Sequence, residues 1–205
     1  MKPMNKTIRI SGKFISQYKM DKTYINDFNK IYEKAKNSLE SYAPRLAGRL
    51  ESELNIVNLI EKTKGFKFIT DCMKDHMHSS IKFGLLPPGP SHLNILSCWV
   101  NDMTEGEYNP PHTHHNGTGW STVLFLKIPP YINDAKEPHK FRDGKLGFMM
   151  QETEGEGSHY LDPEVGDFYI FNANHQHFVM PFKTKKPKEI RRSMSFNFIK
   201  EKKND

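Results

Sequence analysis

Cysteine is scarce. Cys72 and Cys98 are the only two in 205 residues, which is no disulfide framework, and a reducing cytosol is the default expectation for such a chain. Long apolar runs are missing as well. A transmembrane helix needs about 20 apolar residues, and no stretch comes near that, so no membrane span is expected. The opening Met1-Lys2-Pro3-Met4-Asn5-Lys6 leads into polar sequence with no apolar h-region, so no secretory signal is expected and the expected localisation is cytoplasmic. Internal repeats are lacking, and the lysine-rich tail is the one biased segment. The net charge is +6, with basic residues gathered at Lys183–Lys188, Arg191-Arg192 and Lys200–Lys203. No aromatic-interleaved basic stripe or nucleic-acid motif accompanies them. The expectation is a solvated loop and a frayed terminus, with no nucleic-acid partner.

What is present fits a folded domain. Aromatics make up 12% of the chain, 14 of them Phe, which argues against disorder. The length suits one integrated domain. Thr7 to Ile15 alternates enough for a short strand. Asp21 can cap a helix in which Tyr24, Phe28, Ile31, Ala35, Leu39 and Tyr42 recur at spacings of three and four, stopped by Pro44. Leu46 to Leu54 is ambiguous. A second helix is predicted over Val57 to His78, with His76 and His78 near its end as histidines favoured by the helix dipole.

Leu86-Pro87-Pro88-Gly89-Pro90 is a hard break, and the texture changes after it. Strands are predicted over His92 to Met103, Trp120 to Lys127, Leu146 to Gln151, Asp167 to Phe171, His177 to Pro181 and Arg191 to Ile199. Many short strands with Pro/Gly turns imply a sandwich or jelly roll. The class expected is mainly β (α+β). Residues 1–91 form a helical and strand region packing on the barrel, 92–199 the core, and 200–205 a basic tail.

The chemistry-bearing stretch is Asn109-Pro110-Pro111-His112-Thr113-His114-His115. In extended chain, residues i and i+2 share a face, so His112 and His114 converge, and imidazole suits iron, zinc, copper and nickel. His177 is the candidate third ligand. Downstream, Arg191, Ser193, Ser195 and Asn197 alternate with Arg192, Met194, Phe196 and Phe198. A polar inward row in a barrel suggests a ligand, and a guanidinium with a nearby hydroxyl suits a carboxylate. Arg192 is then expected to face outward. His92, His139 and His159 are expected at the surface.

Several of these pieces resemble one family. They are Trp99-Val100-Asn101, Tyr108-Asn109-Pro110-Pro111-His112-Thr113-His114, Trp120-Ser121-Thr122-Val123-Leu124-Phe125, Ile128-Pro129, Gly166-Asp167-Phe168-Tyr169-Ile170-Phe171, His177-Phe178-Val179-Met180-Pro181 and Arg191-Arg192-Ser193-Met194-Ser195-Phe196-Asn197. In order and spacing they resemble the 2-oxoglutarate- and Fe(II)-dependent oxygenases of the double-stranded β-helix type. Within these they are similar to small prolyl-hydroxylase-like proteins, including those encoded by tailed phages of marine bacteria. The resemblance implies a double-stranded β-helix (jelly roll) with N-terminal helices packed on one sheet. It makes His112 and His177 iron ligands and Arg191 with Ser193 the clamp for the distal carboxylate of 2-oxoglutarate. It also implies O2 as cosubstrate, ascorbate as a candidate stimulant, and hydroxylation of a peptidyl prolyl or other side chain, in the host cytoplasm if phage-encoded.

Two departures from the family pattern stand out. His114 occupies the usual carboxylate position of the metal triad and is kept as a ligand, with Asp102 and His115 as alternatives. Phe125 stands where many relatives place a Tyr beside the cosubstrate. Asn101 is a candidate partner for the other carboxylate. His175 shares a face with His177, but the pattern puts only His177 on the metal. Two rival readings are a three-His cupin-like metalloenzyme that does not use 2-oxoglutarate, and a non-enzymatic jelly-roll binding or virion module.

Overall fold

The computed structural model describes residues 6–10, 13–50, 52–114, 117–132, 142–150 and 157–202. The chain runs β1 (Lys6–Ile10), β2 (Lys13–Lys19), α1 (Lys22–Ala35), β3 (Ser52–Asn55), α2 (Val57–Ile60), α3 (Lys64–Lys82), β4 (Ser91–Met103), β5 (Asn109–His112), β6 (Trp120–Lys127), β7 (Leu146–Met149), β8 (Ser158–Leu161), β9 (Asp167–Asn172), β10 (His177–Val179) and β11 (Arg191–Lys202). Among the described residues the strands form two sheets, one of seven strands ordered β1-β2-β9-β6-β11-β4-β3 and one of four ordered β5-β10-β7-β8. Neighbouring strands are antiparallel throughout. This is the double-stranded β-helix expected from the sequence. No helix among the described residues is long and apolar enough to cross a membrane.

The helices cover one face of the larger sheet. Ile25, Phe28 and Tyr32 of α1 and Ile69, Met73 and Met77 of α3 pack on Val100, Leu124, Phe168, Met194 and Phe196. A second cluster, including Phe125, Leu146, Phe148, Phe171 and Val179, fills the space between the sheets. Period-two alternation assigns the two faces of β11: Met194, Phe196 and Phe198 go to the helices, and Arg191, Ser193 and Ser195 go to the barrel interior.

Several boundaries differ from the sequence reading, for local reasons. The first strand is a hairpin, β1 pairing with β2. Helix α1 begins at its Asp21 cap but stops at Ala35, where Ser38 Oγ donates to the Ala35 carbonyl at 2.8 Å, a side chain competing with the helical ladder. The predicted Val57–His78 helix is two helices. Thr63 ends the first by bonding the Ile60 carbonyl and caps α3 by accepting from Phe66 N. Helix α3 continues to Lys82, so His76 is not a charged helix-end residue. It is fully buried, its Nδ1 lies 2.7 Å from Ser16 Oγ, and burial pushes its pKa down to about 3. Gly65 is tolerated inside α3 because a Cβ there would stand 2.6 Å from the Phe28 ring. The ambiguous Leu46–Leu54 stretch runs into edge strand β3, β8 was not predicted, and Lys200–Lys202 of the expected tail belong to β11.

Candidate active site

Three histidines meet between the sheets. β10 pairs with β5 so that His177 stands opposite His112. β5 ends at His112, and His114 lies in the bend beyond it, its N–H bonded to the Ala173 carbonyl at 3.0 Å. Strand pairing and one turn therefore bring the rings together, not a continuous strand through both histidines. The ligand atoms of His112, His114 and His177 lie within 4.8 Å of one another, and His114 Nε2 is 3.2 Å from His177 Nε2.

The outer nitrogens of the two strand histidines are fixed. His112 Nδ1 lies 2.7 Å from the Pro110 carbonyl and His177 Nδ1 lies 2.9 Å from the His175 carbonyl. A carbonyl can only accept, so each Nδ1 carries the hydrogen and each Nε2 presents a lone pair inward, the arrangement that orients metal-bound imidazoles. Burial pushes the pKa of His114 to about 3 and that of His177 well below the ordinary imidazole range, with the neighbouring rings adding to both shifts. Burial lowers His112 too. Neutral imidazoles with converging lone pairs suit a divalent transition ion.

On the larger sheet, in-register residues of adjacent strands share a face. Glu53 of β3 stands opposite Asn101 of β4, Asn101 opposite Ser193 of β11, and Ser193 opposite Phe125 of β6. Glu53, Asn101, Ser193, Ser195, Trp99 and Arg191 line one cavity with the three histidines. Trp99 lies 5.6 Å from the His114 ring, at the histidine end of the cavity. Arg191 defines the other end, four residues along β11 from Ser195, which pairs with Trp99.

Arg191 is 1% exposed. Its Nε donates to the Gly144 carbonyl at 3.0 Å, its Nη1 contacts Met103 Sδ at 3.4 Å, and its guanidinium lies 4.8 Å over the Phe125 ring. Phe125 thus supplies a π face, and the Tyr131 phenol hydrogen-bonds the same guanidinium. Nη2 is buried without a hydrogen-bond partner, and among the described residues no carboxylate pairs with Arg191. A buried cation in that condition fits an anionic ligand. Asn101 Oδ1 is likewise buried and unpartnered. Asn197, the fourth member of the inward row, does not line the cavity.

Arg192 corrects the sequence reading. Its side chain is fully buried, not outward in solvent. It points to the helix side, bidentate to Asp102 at 2.5 and 2.6 Å, 2.8 Å from Glu33 Oε1, and stacked 4.2 Å over Tyr32. This pairing also removes Asp102 as an alternative ligand, since it faces away from the histidines. His115 and His139 lie outside the described residues. His92 pairs with Glu201 at 2.9 Å. The sequence reading missed Glu53, because a glutamate in a stretch without clear periodicity carries no signal of burial.

Residues 97–197 match the family described as "Putative 2OG-Fe(II) oxygenase". Among curated proteins, none matches the chain in sequence. Solved structures resemble it over nearly its whole length. A Pseudomonas putida prolyl-4-hydroxylase is 16% identical over 90% of this chain and 91% of its own, with a TM-score of 0.56. A Trichoplax adhaerens prolyl hydroxylase in complex with a hypoxia inducible factor oxygen degradation domain peptide fragment is 14% identical over 92% and 84%, with a TM-score of 0.58. The viral collagen prolyl hydroxylase of Paramecium Bursaria Chlorella virus-1, in its 2-oxoglutarate complex, is 10% identical over 91% and 96%, with a TM-score of 0.55. At these identities the structural likeness speaks for the fold.

Proposed function

We propose, on the family match over residues 97–197, that the chain is a 2-oxoglutarate- and Fe(II)-dependent oxygenase in which His112, His114 and His177 hold the iron and Arg191 with Ser193 holds the distal carboxylate of 2-oxoglutarate. The observation that carries this reading is the pairing, in one cavity, of three converging imidazole nitrogens with a buried guanidinium that has no anion of its own. A three-His cupin-like enzyme that does not use 2-oxoglutarate has no need of that cation, and a non-enzymatic module needs neither feature.

Iron and 2-oxoglutarate held by these residues would supply an oxidant from O2, one oxygen atom going to succinate as CO2 is lost and the other to a hydroxyl on the substrate. The protein binds, orients and excludes water. The carbonyls of Pro110 and His175 hold the imidazoles at one tautomer, so that Nε2 faces the ion. Arg191 and Ser193 receive the distal carboxylate over Phe125. Phe148 and Phe171 pack against His177 and keep its side of the pocket dry. The substrate class that the fold supports is a peptide or protein side chain, prolyl among them, since a hydroxylase neighbour of the same fold holds a peptide.

The test is anaerobic titration of Fe(II) with 2-oxoglutarate, reading the visible charge-transfer band. The parent is expected to show it, and His112→Ala and His177→Ala to lose it. His114→Asp, which restores a carboxylate to the triad, is expected to retain or tighten iron binding. If His112→Ala, His114→Ala and His177→Ala each bind iron as the parent does, the ligand assignment fails. If the metal binds but 2-oxoglutarate gives no band, the cupin-like reading takes its place.

A further inference from the structure

Among the described residues Glu53 is the one carboxylate in the cavity lining, and the oxygenase reading leaves it without a task. It is 1% exposed, and its Oε2 is buried with no hydrogen-bond partner. No Lys or Arg pairs with it among the described residues, and Glu107 adds negative potential. Burial, with that repulsion, pushes its pKa up to about 7. It is not a fourth ligand, because it is absent from the group formed by the histidine nitrogens. The backbone nearby is shaped around it: a Cβ on Gly48 would fall 2.8 Å from Glu53 Oε1 and 2.5 Å from Asn109 Oδ1. Leu46 and Ala47, just before that glycine, form part of the cavity wall.

Register locates this carboxyl relative to the cosubstrate clamp. Glu53 and Ser193 lie in one row on strands two apart. Adjacent strands are about 4.8 Å apart, so the two backbones are separated by about 10 Å. The Arg191–Ser193 end presents donors. The β3 end presents two unpartnered acceptor oxygens, Glu53 Oε2 and Asn101 Oδ1. An anionic cosubstrate is drawn to the first end and repelled from the second.

We infer that Glu53, with Asn101 beside it, is the substrate-recognition site, receiving a cationic N–H donor, an ammonium or guanidinium, carried by the substrate. This deepens the oxygenase reading and rests on it. The cation docks at the β3 edge and thereby sets which neighbouring C–H bond faces the iron between His112, His114 and His177. A buried carboxylate that lacks a counter-ion gains most from a ligand that brings one. Because the chain as a whole is positive, with net charge +6, this acidic pocket is a local feature and not part of a general attraction for cations.

Saturation-transfer NMR on the full chain loaded with Zn(II), with and without 2-oxoglutarate, tests the inference. Three probes are used: N-acetyl-lysine methylamide, N-acetyl-norleucine methylamide, which keeps the four-carbon stem without the ammonium, and N-acetyl-proline methylamide. The lysine probe is expected to bind at least about tenfold tighter than the neutral two, and Glu53→Gln to abolish that preference. Glu53→Gln is also expected to raise the thermal midpoint at pH 8, because it removes an unpaired buried charge. A carboxyl with a purely structural role would lower it. Equal binding of the three probes, a lysine preference that survives Glu53→Gln, or a lowered midpoint in Glu53→Gln each overturns the inference. Failure of the oxygenase reading is seen separately, as the missing 2-oxoglutarate band with Fe(II), and leaves the probe result standing.

Discussion

Arg191 and Arg192 are neighbours in sequence, equally buried, and opposite in role. Alternation along β11 sends one into the barrel and the other under α1. On the helix side the charge is matched: Asp102 takes Nε and Nη2, Glu33 takes Nη2, Asn29 takes Nη1, and Tyr32 covers the flat face. On the barrel side Arg191 has a backbone carbonyl, a sulfur, a ring, the neutral phenol of Tyr131 and one empty donor, and no carboxylate among the described residues. Burial alone does not separate a structural arginine from a ligand-binding one. Whether the charge is satisfied by the protein does. The same contrast divides the histidines: His76 packs on the helix side between Phe14 and Trp120, while the cavity three turn their free nitrogens on each other.

The sharpest way to break this comparison is to remove the matched charge. Arg192→Ala strands Asp102 in a buried site, and breaking such a pair typically costs about 3–5 kcal/mol. For a chain of this size that is a fall in thermal midpoint of roughly 6–20 °C. Cosubstrate affinity, measured on the folded protein at low temperature, should be close to that of the parent. A midpoint shift under about 2 °C would mean that the Asp102–Glu33–Arg192 cluster is not formed in solution.

Arg191→Ala sharpens the other half. Loss of a desolvated charge-assisted contact is commonly worth about 2–5 kcal/mol, so 2-oxoglutarate affinity should drop roughly 30-fold to several thousand-fold. Metal binding should persist, and the cosubstrate-free protein should unfold no earlier than the parent, since no protein carboxylate loses a partner. Anaerobic calorimetry of the metal-loaded variant reads the first effect and a thermal scan the second. If Arg191→Ala destabilised the protein as much as Arg192→Ala, the functional distinction between the two sides would be lost.

The sequence carried the parts of this site that periodicity can carry. Alternation in Arg191 to Phe198 pointed to the inward row, and the H-x-H stretch with His177 pointed to the three histidines that the structure brings together. Neither needs knowledge of what lies across the cavity. What sits on the outward face was not legible, because the sequence does not say that α1 brings Glu33, Asn29 and Tyr32 over Arg192. A sheet buried on both faces turns a predicted surface charge into a core ion pair. Glu53 was hidden for a related reason: β3 has four residues, too few to show a period, and its burial depends on pairing with β4. His76 reads as a helix-end histidine until α3 is seen to run a further turn and to press it on β2.

His76 gives the smallest of the three effects and the finest test of the comparison. Its imidazole is held neutral by burial, with a pKa of about 3 in the fold against an ordinary value near 6.5. Between those values the unfolded chain binds a proton that the folded one refuses, so stability contributed by neutral His76 is complete above about pH 6.5 and is lost as pH falls toward 3. From pH 6.5 to pH 4.5 the loss should be about 1–3 kcal/mol for this group. His112, His114 and His177 are also depressed and add to acid sensitivity in the metal-free protein, but a bound ion competes with their protonation. The two sides of the sheet can therefore be separated by urea unfolding at pH 4.5 and 7. Saturating Zn(II) should remove the part due to the cavity histidines and leave the parts due to His76 and to buried His175, whose pKa is also pushed down to about 4, whereas His76→Gln should remove the His76 part with or without the ion. If Zn(II) abolished the whole pH dependence, His76 would contribute nothing to it. If Zn(II) changed none of it, the converging nitrogens of the cavity would not be binding the metal.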